Sequence, residues 1–213
     1  MAKAKGDQPK TTTETEPGPR HVLASYVKHS KEIGIDPCKQ LVEALQNSAA
    51  NGGKQIILGR TNKDEPHEEL KCGGCRAFVN ALIESSFTAT EEIRICGHSL
   101  GDQGAVSISN LLSATATTGT TSESHQWNLN FLELLSNRIG PRGAHALGRS
   151  LEVANCSTLA TLILDFNPIT SAGAALLCRG LSSNSHLKSL SLNYCNLDGS
   201  CGSSFGSVLA FKR

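Results

Sequence analysis

Leu129–Leu151 reads LNFLELLSNRIGPRGAHALGRSL, and Leu159–Leu181 reads LATLILDFNPITSAGAALLCRGL. Set one above the other, Leu129, Leu132, Leu134, Asn137, Ile139, Gly143, Ala144, Leu147 and Leu151 fall on Leu159, Leu162, Leu164, Asn167, Ile169, Gly173, Ala174, Leu177 and Leu181. The two copies stand 30 residues apart. Each changes period partway along: apolar residues alternate at first and then recur every three or four positions. That is a short strand, a turn and an amphipathic helix. One such unit cannot bury its own apolar face, so copies must stack into a shared core.

The register extends both ways. Downstream, 28 residues on, Leu187, Leu190, Leu192, Cys195, Leu197, Cys201, Gly202, Phe205 and Leu209 take the same places. Upstream, Ile93 and Ile95 take the strand positions, His98 the Asn position and Leu100 the next apolar one, before Gly104, Ala105, Ile108 and Leu112. A further copy has Ile56 and Leu58, then Gly74, Cys75, Phe78 and Leu82. Its Leu58-to-Gly74 spacing is 16 where its siblings have 9, which makes DEPHEEL an insertion. Leu23, Tyr26, Ile33, Cys38, Leu41 and Leu45 form a degraded first unit. The Gly-Ala pair opens each helix where a neighbouring backbone must pass closely.

The repeated LxxLxLxxNxIxxxGAxxLxxxL, running over roughly residues 54 to 211, resembles the leucine-rich-repeat family, and its 28- to 30-residue period resembles the ribonuclease-inhibitor-like subtype. The resemblance implies an α/β solenoid, a horseshoe with parallel strands on the concave face and helices on the convex face. It also implies protein binding rather than catalysis, with no cofactor. In that family the Asn side chain bonds backbone groups of adjoining turns. With His98 and Cys195 at that position, a weaker ladder is expected in those two layers.

Composition agrees. Of 213 residues, 38% are hydrophobic but only 4% aromatic, which suits identical Leu slots layer after layer. A net charge of +1 favours neither nucleic acid nor an acidic membrane surface. Residues 1–20 hold little to bury and read as a disordered tail. Residues 21–53 read as a helical N-terminal cap, and residues 54–213 as about five repeats with insertions near 62–70 and 113–126. The N-terminus lacks the apolar run of a secretory signal, which points to the cytoplasm and to reduced thiols for the eight cysteines. The Asn155-Cys156-Ser157 sequon then carries little meaning.

Two motifs compete with the repeat reading. Gly97-His98-Ser99-Leu100-Gly101 spells a nucleophile elbow, with Asp165 and His186 following in the chain order of a hydrolase triad. In a stack of strands about 4.8 Å apart, however, His186 lies three layers from Ser99. The register also accounts for Leu100 and Gly101 without catalysis. Cys72-Gly73-Gly74-Cys75 with His67 offers three zinc ligands or a dithiol pair. The register instead makes Gly74 and Cys75 a Gly-Ala pair, with Cys75 as a small buried residue.

The residues expected to carry function are those pointing outward between and after the buried leucines: Arg60, Arg94, Glu133, Leu135, Ile163, Asp165, Phe166, Asn193 and Tyr194. Large apolar residues on such a face mark a surface for another protein. The leading expectation is a non-catalytic intracellular scaffold. Resemblance of SYVKHSKEIGIDPCKQLVEAL to the N-terminal unit of related repeat chains adds cilia and the cytoskeleton as settings. The alternatives from the same subfamily are a regulator of a small GTPase and a ribonuclease-inhibitor-like binder. A serine hydrolase acting through GHSLG is the more distant one. The last repeat has no polar capping unit after it, so its edge is expected to self-associate or be covered by a partner.

Overall fold

The computed structural model describes residues 18–59, 68–114, 127–152 and 158–211. Two helices come first, α1 (Pro19–Glu32) and α2 (Lys39–Ser48). Strands and helices then alternate: β1 (Gln55–Leu58), α3 (Lys71–Ser85), β2 (Glu92–Ile95), α4 (Gly101–Ala114), β3 (Phe131–Glu133), α5 (Pro141–Glu152), β4 (Thr161–Ile163), α6 (Thr170–Ser183), β5 (Ser189–Ser191) and α7 (Gly202–Phe211). The five strands form one parallel sheet in sequence order. Ile56, Ile93, Leu132, Leu162 and Leu190 are direct cross-strand partners. The helices pack each on the next, from α3 to α7. Strand and helix periodicities therefore build two stacked rows, with the aliphatic core between them.

The leucine slots are closed where a layer lies on both sides. Leu132, Leu134, Leu162 and Leu164 are wholly buried, as are Ile139, Ile169, Leu147 and Leu177. At the N-terminal end α1 packs on α3, and α2 on β1. The Tyr26 hydroxyl, buried there, accepts a hydrogen bond of 3.0 Å from the Cys38 amide and holds the α1–α2 connection. The helix begins at Pro19, in the first turn of which proline is well suited, so the last two residues of the stretch read as tail are helical.

The turn ladder differs from expectation in one layer. Asn167 behaves as the family pattern implies. Its Oδ1 accepts from the amides of Asn137 (2.9 Å) and Ile139 (3.0 Å), and its Nδ2 donates to the carbonyls of Leu134 and Leu164, both at 2.8 Å. Asn137 does the same one layer earlier, accepting from His98 N–H at 3.0 Å and donating to Ile95 O at 2.6 Å. His98 keeps the acceptor half of the ladder. It is fully buried, and its Nδ1 accepts from the Leu70 amide at 3.1 Å, the bond that Asn167 Oδ1 gives Ile139. A ring nitrogen with a lone pair meets that amide as a carbonyl oxygen does. Cys195 supplies only the donor half, its thiol reaching Leu164 O at 3.2 Å, while the Ile169 amide turns back to Asn167 O in its own layer.

Two other assignments change. Leu70, read as the end of the insertion, is 3% exposed and occupies the core slot of Leu100, Ile139 and Ile169 immediately before α3. The insertion therefore ends before it. Leu209, read as a core position like Leu151 and Leu181, is 73% exposed, because that slot is closed by a following layer. Leu190, Leu192, Leu197 and Phe205 are only partly buried for the same reason. The close backbone approach expected at the Gly-Ala pairs is found at Gly173, where a Cβ would stand 2.8 Å from Pro141 Cα. A tighter one lies deeper, where a Cβ on Gly180 of α6 would stand 1.8 Å from the Gly148 carbonyl oxygen of α5.

Candidate functional site

Alternation along each strand sends one set of side chains into the core and the other to the open face of the sheet. The register lines those outward residues up in rows. The first holds Gln55, Glu92, Phe131, Thr161 and Ser189, and the second Ile57, Arg94, Glu133, Ile163 and Ser191. Of the nine residues expected to carry function, Arg94, Glu133 and Ile163 therefore lie on the strands. Leu135, Asp165, Phe166, Asn193 and Tyr194 lie just past the strand ends, on the turns. Arg60 is outside the described residues, as are His67 and Asn155.

At the β2–β3 end the charges satisfy one another. Arg94 pairs with Glu92 and, at 3.3 Å, with Glu133, and its guanidinium lies 4.6 Å over the Phe131 ring. Glu92 also accepts from Gln55 Nε2 at 2.8 Å. Glu92, Phe131 and the half-exposed Ile57 share this face without being among the nine expected residues. The signal was the two-residue alternation itself, which marks Gln55 and Ile57, Glu92 and Arg94, Phe131 and Glu133 as outward pairs.

The β4–β5 end carries two aromatic rings among small polar residues. Phe166 and Tyr194 stack with centroids 4.6 Å apart and planes 15° apart, yet are 52% and 77% exposed. Both sit at φ +57°, in the left-handed region. The equivalent places in the preceding layers hold Gly97 and Ser136. Any residue with a Cβ costs on the order of 1–2 kcal/mol there, so of these four only Gly97 is free of strain. Asp165 and Asn193 precede the two rings. Asn193 donates to Asp165 through its amide (2.8 Å) and its Nδ2 (3.0 Å), and Nδ2 also reaches Ser191 Oγ. Burial pushes the Asp165 carboxyl up, but the hydrogen bonds from Ser191 and Asn193 together hold it below the usual carboxylate value.

Between the two ends lies an open hollow of about 420 Å³ at the turns. Leu135, Phe166 and Pro168 form its apolar wall, with Glu69, Cys96, Ser99 and Arg138 around them. Ser99 donates to Glu69 Oε1 at 2.7 Å, and its neighbour His98 commits Nδ1 to the Leu70 amide. The backbone of Ser99 is left-handed (φ +50°), as an elbow requires, but so are Arg138 (+58°) and Asn196 (+56°) at the same place in other layers. That turn belongs to the repeat. Burial pushes the Cys96 thiol up to about 11 and the Cys75 thiol up to about 12, so neither is a ready thiolate. Cys75 is wholly buried and its thiol points to Gly104 O, whereas Cys72 is exposed.

Rows of parallel strands and helices, a turn ladder and an open face of variable residues define a leucine-rich-repeat solenoid, with strands on the concave side and helices on the convex side. The Leucine Rich repeat family model matches residues 155–178 and 183–206, within the two C-terminal layers. Among solved structures, the actin-binding site 2 of leiomodin-1 is similar, with a TM-score of 0.58 at 17% identity, over 80% of this chain and 86% of that one. At that identity the likeness is one of fold. No curated protein sequence matches the chain.

Proposed function

We propose that this chain is a non-catalytic, cytoplasmic protein-binding scaffold whose partner docks on the concave face around Leu135, Ile163, Phe166 and Tyr194. One observation carries the reading: two large aromatic rings are kept exposed, on left-handed backbone, where sibling layers hold Gly97 and Ser136. The left-handed turn belongs to the repeat, but only these two layers place large rings on it, and exposed aromatic side chains are characteristic of binding surfaces. The likeness to a leiomodin-1 actin-binding domain supports a cytoskeletal setting, with a ciliary assembly as its variant. Membership of the ribonuclease-inhibitor-like subtype belongs to the same proposal, resting on the repeat period.

The test pairs the intact chain with a Phe166→Ser, Tyr194→Ser variant, which installs the residue found at Ser136. Co-sedimentation with actin filaments and capture of partners from cell extract are compared at matched concentrations. Binding by the intact chain and its loss in the variant, with unfolding midpoint retained, is the expected result. Equal recovery by both proteins removes this surface from the proposal. A regulator of small GTPases or a ribonuclease-inhibitor-like binder would use the same face, and the captured partner distinguishes them. Labelling by a fluorophosphonate that disappears on Ser99→Ala would overturn the non-catalytic reading.

A further inference from the structure

Two places on the concave face, at β2–β3 and at the turns after β4 and β5, combine aromatic rings with carboxylates. At the β2–β3 end a guanidinium (Arg94) lies over an aromatic ring (Phe131), flanked by two carboxylates (Glu92 and Glu133). At the turns after β4 and β5 there are two rings, Phe166 and Tyr194, and a carboxylate, Asp165, and among the described residues no cation lies over either ring. Among the described residues no Lys or Arg ion-pairs with Asp165, and the ring that a cation covers is Phe131. Asp165 is also braced. Two hydrogen bonds from Asn193 fix its orientation, and Asn193 is itself tied to Ser191. An oriented carboxylate one residue before an exposed π-face puts two sources of negative potential on the same turn.

Resting on the reading of this face as a binding surface, we propose that the β4–β5 end receives an arginine side chain of the partner protein, its guanidinium stacked on the Phe166–Tyr194 pair beside the Asp165 carboxylate. Arginine suits the site better than lysine because a planar, weakly hydrated cation stacks on planar rings while donating in-plane hydrogen bonds. The arrangement Arg94 makes within the molecule is the same chemistry supplied from inside.

The test uses the full chain labelled for NMR and blocked tripeptides Ac-Gly-Xaa-Gly-NH₂, with Xaa arginine, lysine, citrulline or glutamate. One side chain alone binds in the millimolar range. Saturable shifts at Asp165, Phe166, Asn193 and Tyr194 are expected with the arginine peptide, about tenfold weaker with neutral citrulline. Asp165→Asn should lower the arginine affinity to the citrulline level. The ring-current shifts of the Phe166–Tyr194 pair report that the platform itself is intact in that variant. Equal binding of arginine and citrulline peptides, indifference to Asp165→Asn, or no shift at these residues by about 50 mM peptide would each overturn the assignment. If protein capture still depends on Phe166 and Tyr194 in that case, the scaffold reading stands and the arginine assignment alone falls.

Discussion

A single side chain at the turn decides how tightly one layer holds the next. Asn167 serves five backbone groups, and removing it strands amides and carbonyls in a dry place. Asn167→Ala should cost about 1–3 kcal/mol by chemical denaturation, while Asn47→Ala, on the exposed side of α2, should stay within about 0.5 kcal/mol. Equal losses would mean the ladder bears no load. His98 extends the logic. His98→Asn should hold stability within about 1 kcal/mol, since an amide oxygen can take over the Leu70 N–H. His98→Leu should lose about 1–3 kcal/mol, because that buried donor is left alone.

At the scale of helices, close backbone approach and one exposed ionic cluster set the packing. Gly180→Ala must push α6 away from the Gly148 carbonyl, and a loss of about 2 kcal/mol or more is expected. Gly206→Ala in α7 has open space around its Cβ and should gain about 0.5–1 kcal/mol from helix propensity. A melting experiment on both variants checks the contrast, and a Gly180→Ala protein as stable as the parent would contradict the α5–α6 geometry. Glu84 of α3 binds α1 through Lys28 Nζ (2.6 Å), Ser25 and His29. Hydrogen bonds from Lys28 and then Ser25 hold its carboxyl down at about 2. A depressed carboxyl stabilises the fold above its unfolded value of 4.5, and the contribution fades as pH falls from there toward about 2. The stability gap between the parent and Glu84→Gln should therefore close across that window. A gap independent of pH would show that the cluster does not hold α1.

For the whole molecule, stability runs unevenly along the stack because layers support one another by contact with neighbours. Leu164, closed in by the layers on either side, should cost about 2–5 kcal/mol when cut to Ala. Leu209→Ala, at a slot that is 73% exposed, should cost less than about 0.5 kcal/mol. Amide exchange should be slowest in β2–β4 and fastest at β5 and α7, where Leu190, Leu192 and Phe205 are only partly covered. We propose that this edge, open among the described residues, is covered by a partner or a second copy. Slower exchange at β5 as protein concentration rises would support the second copy, and uniform exchange along the stack would remove the motive for either.

What the sequence determined by itself is the periodic part of the molecule. The strand leucines, the helix leucines, the Asn places and the α/β stacking all follow from apolar spacing, because a repeated slot imposes the same residue type each time. Those were readable at Leu132 and Leu162, or at Asn137 and Asn167, without coordinates. Tertiary structure decided what depends on neighbours rather than on spacing. Leu209 has the spelling of a core residue and is exposed, since burial there requires a layer that comes after it. His98 breaks the pattern yet fits, since a nitrogen lone pair reaches the same amide. The aromatic pair could be named from the sequence as outward-facing. Its stacking, its left-handed backbone and the bracing of Asp165 by Asn193 arise only when two turns 28 residues apart are brought side by side by the sheet.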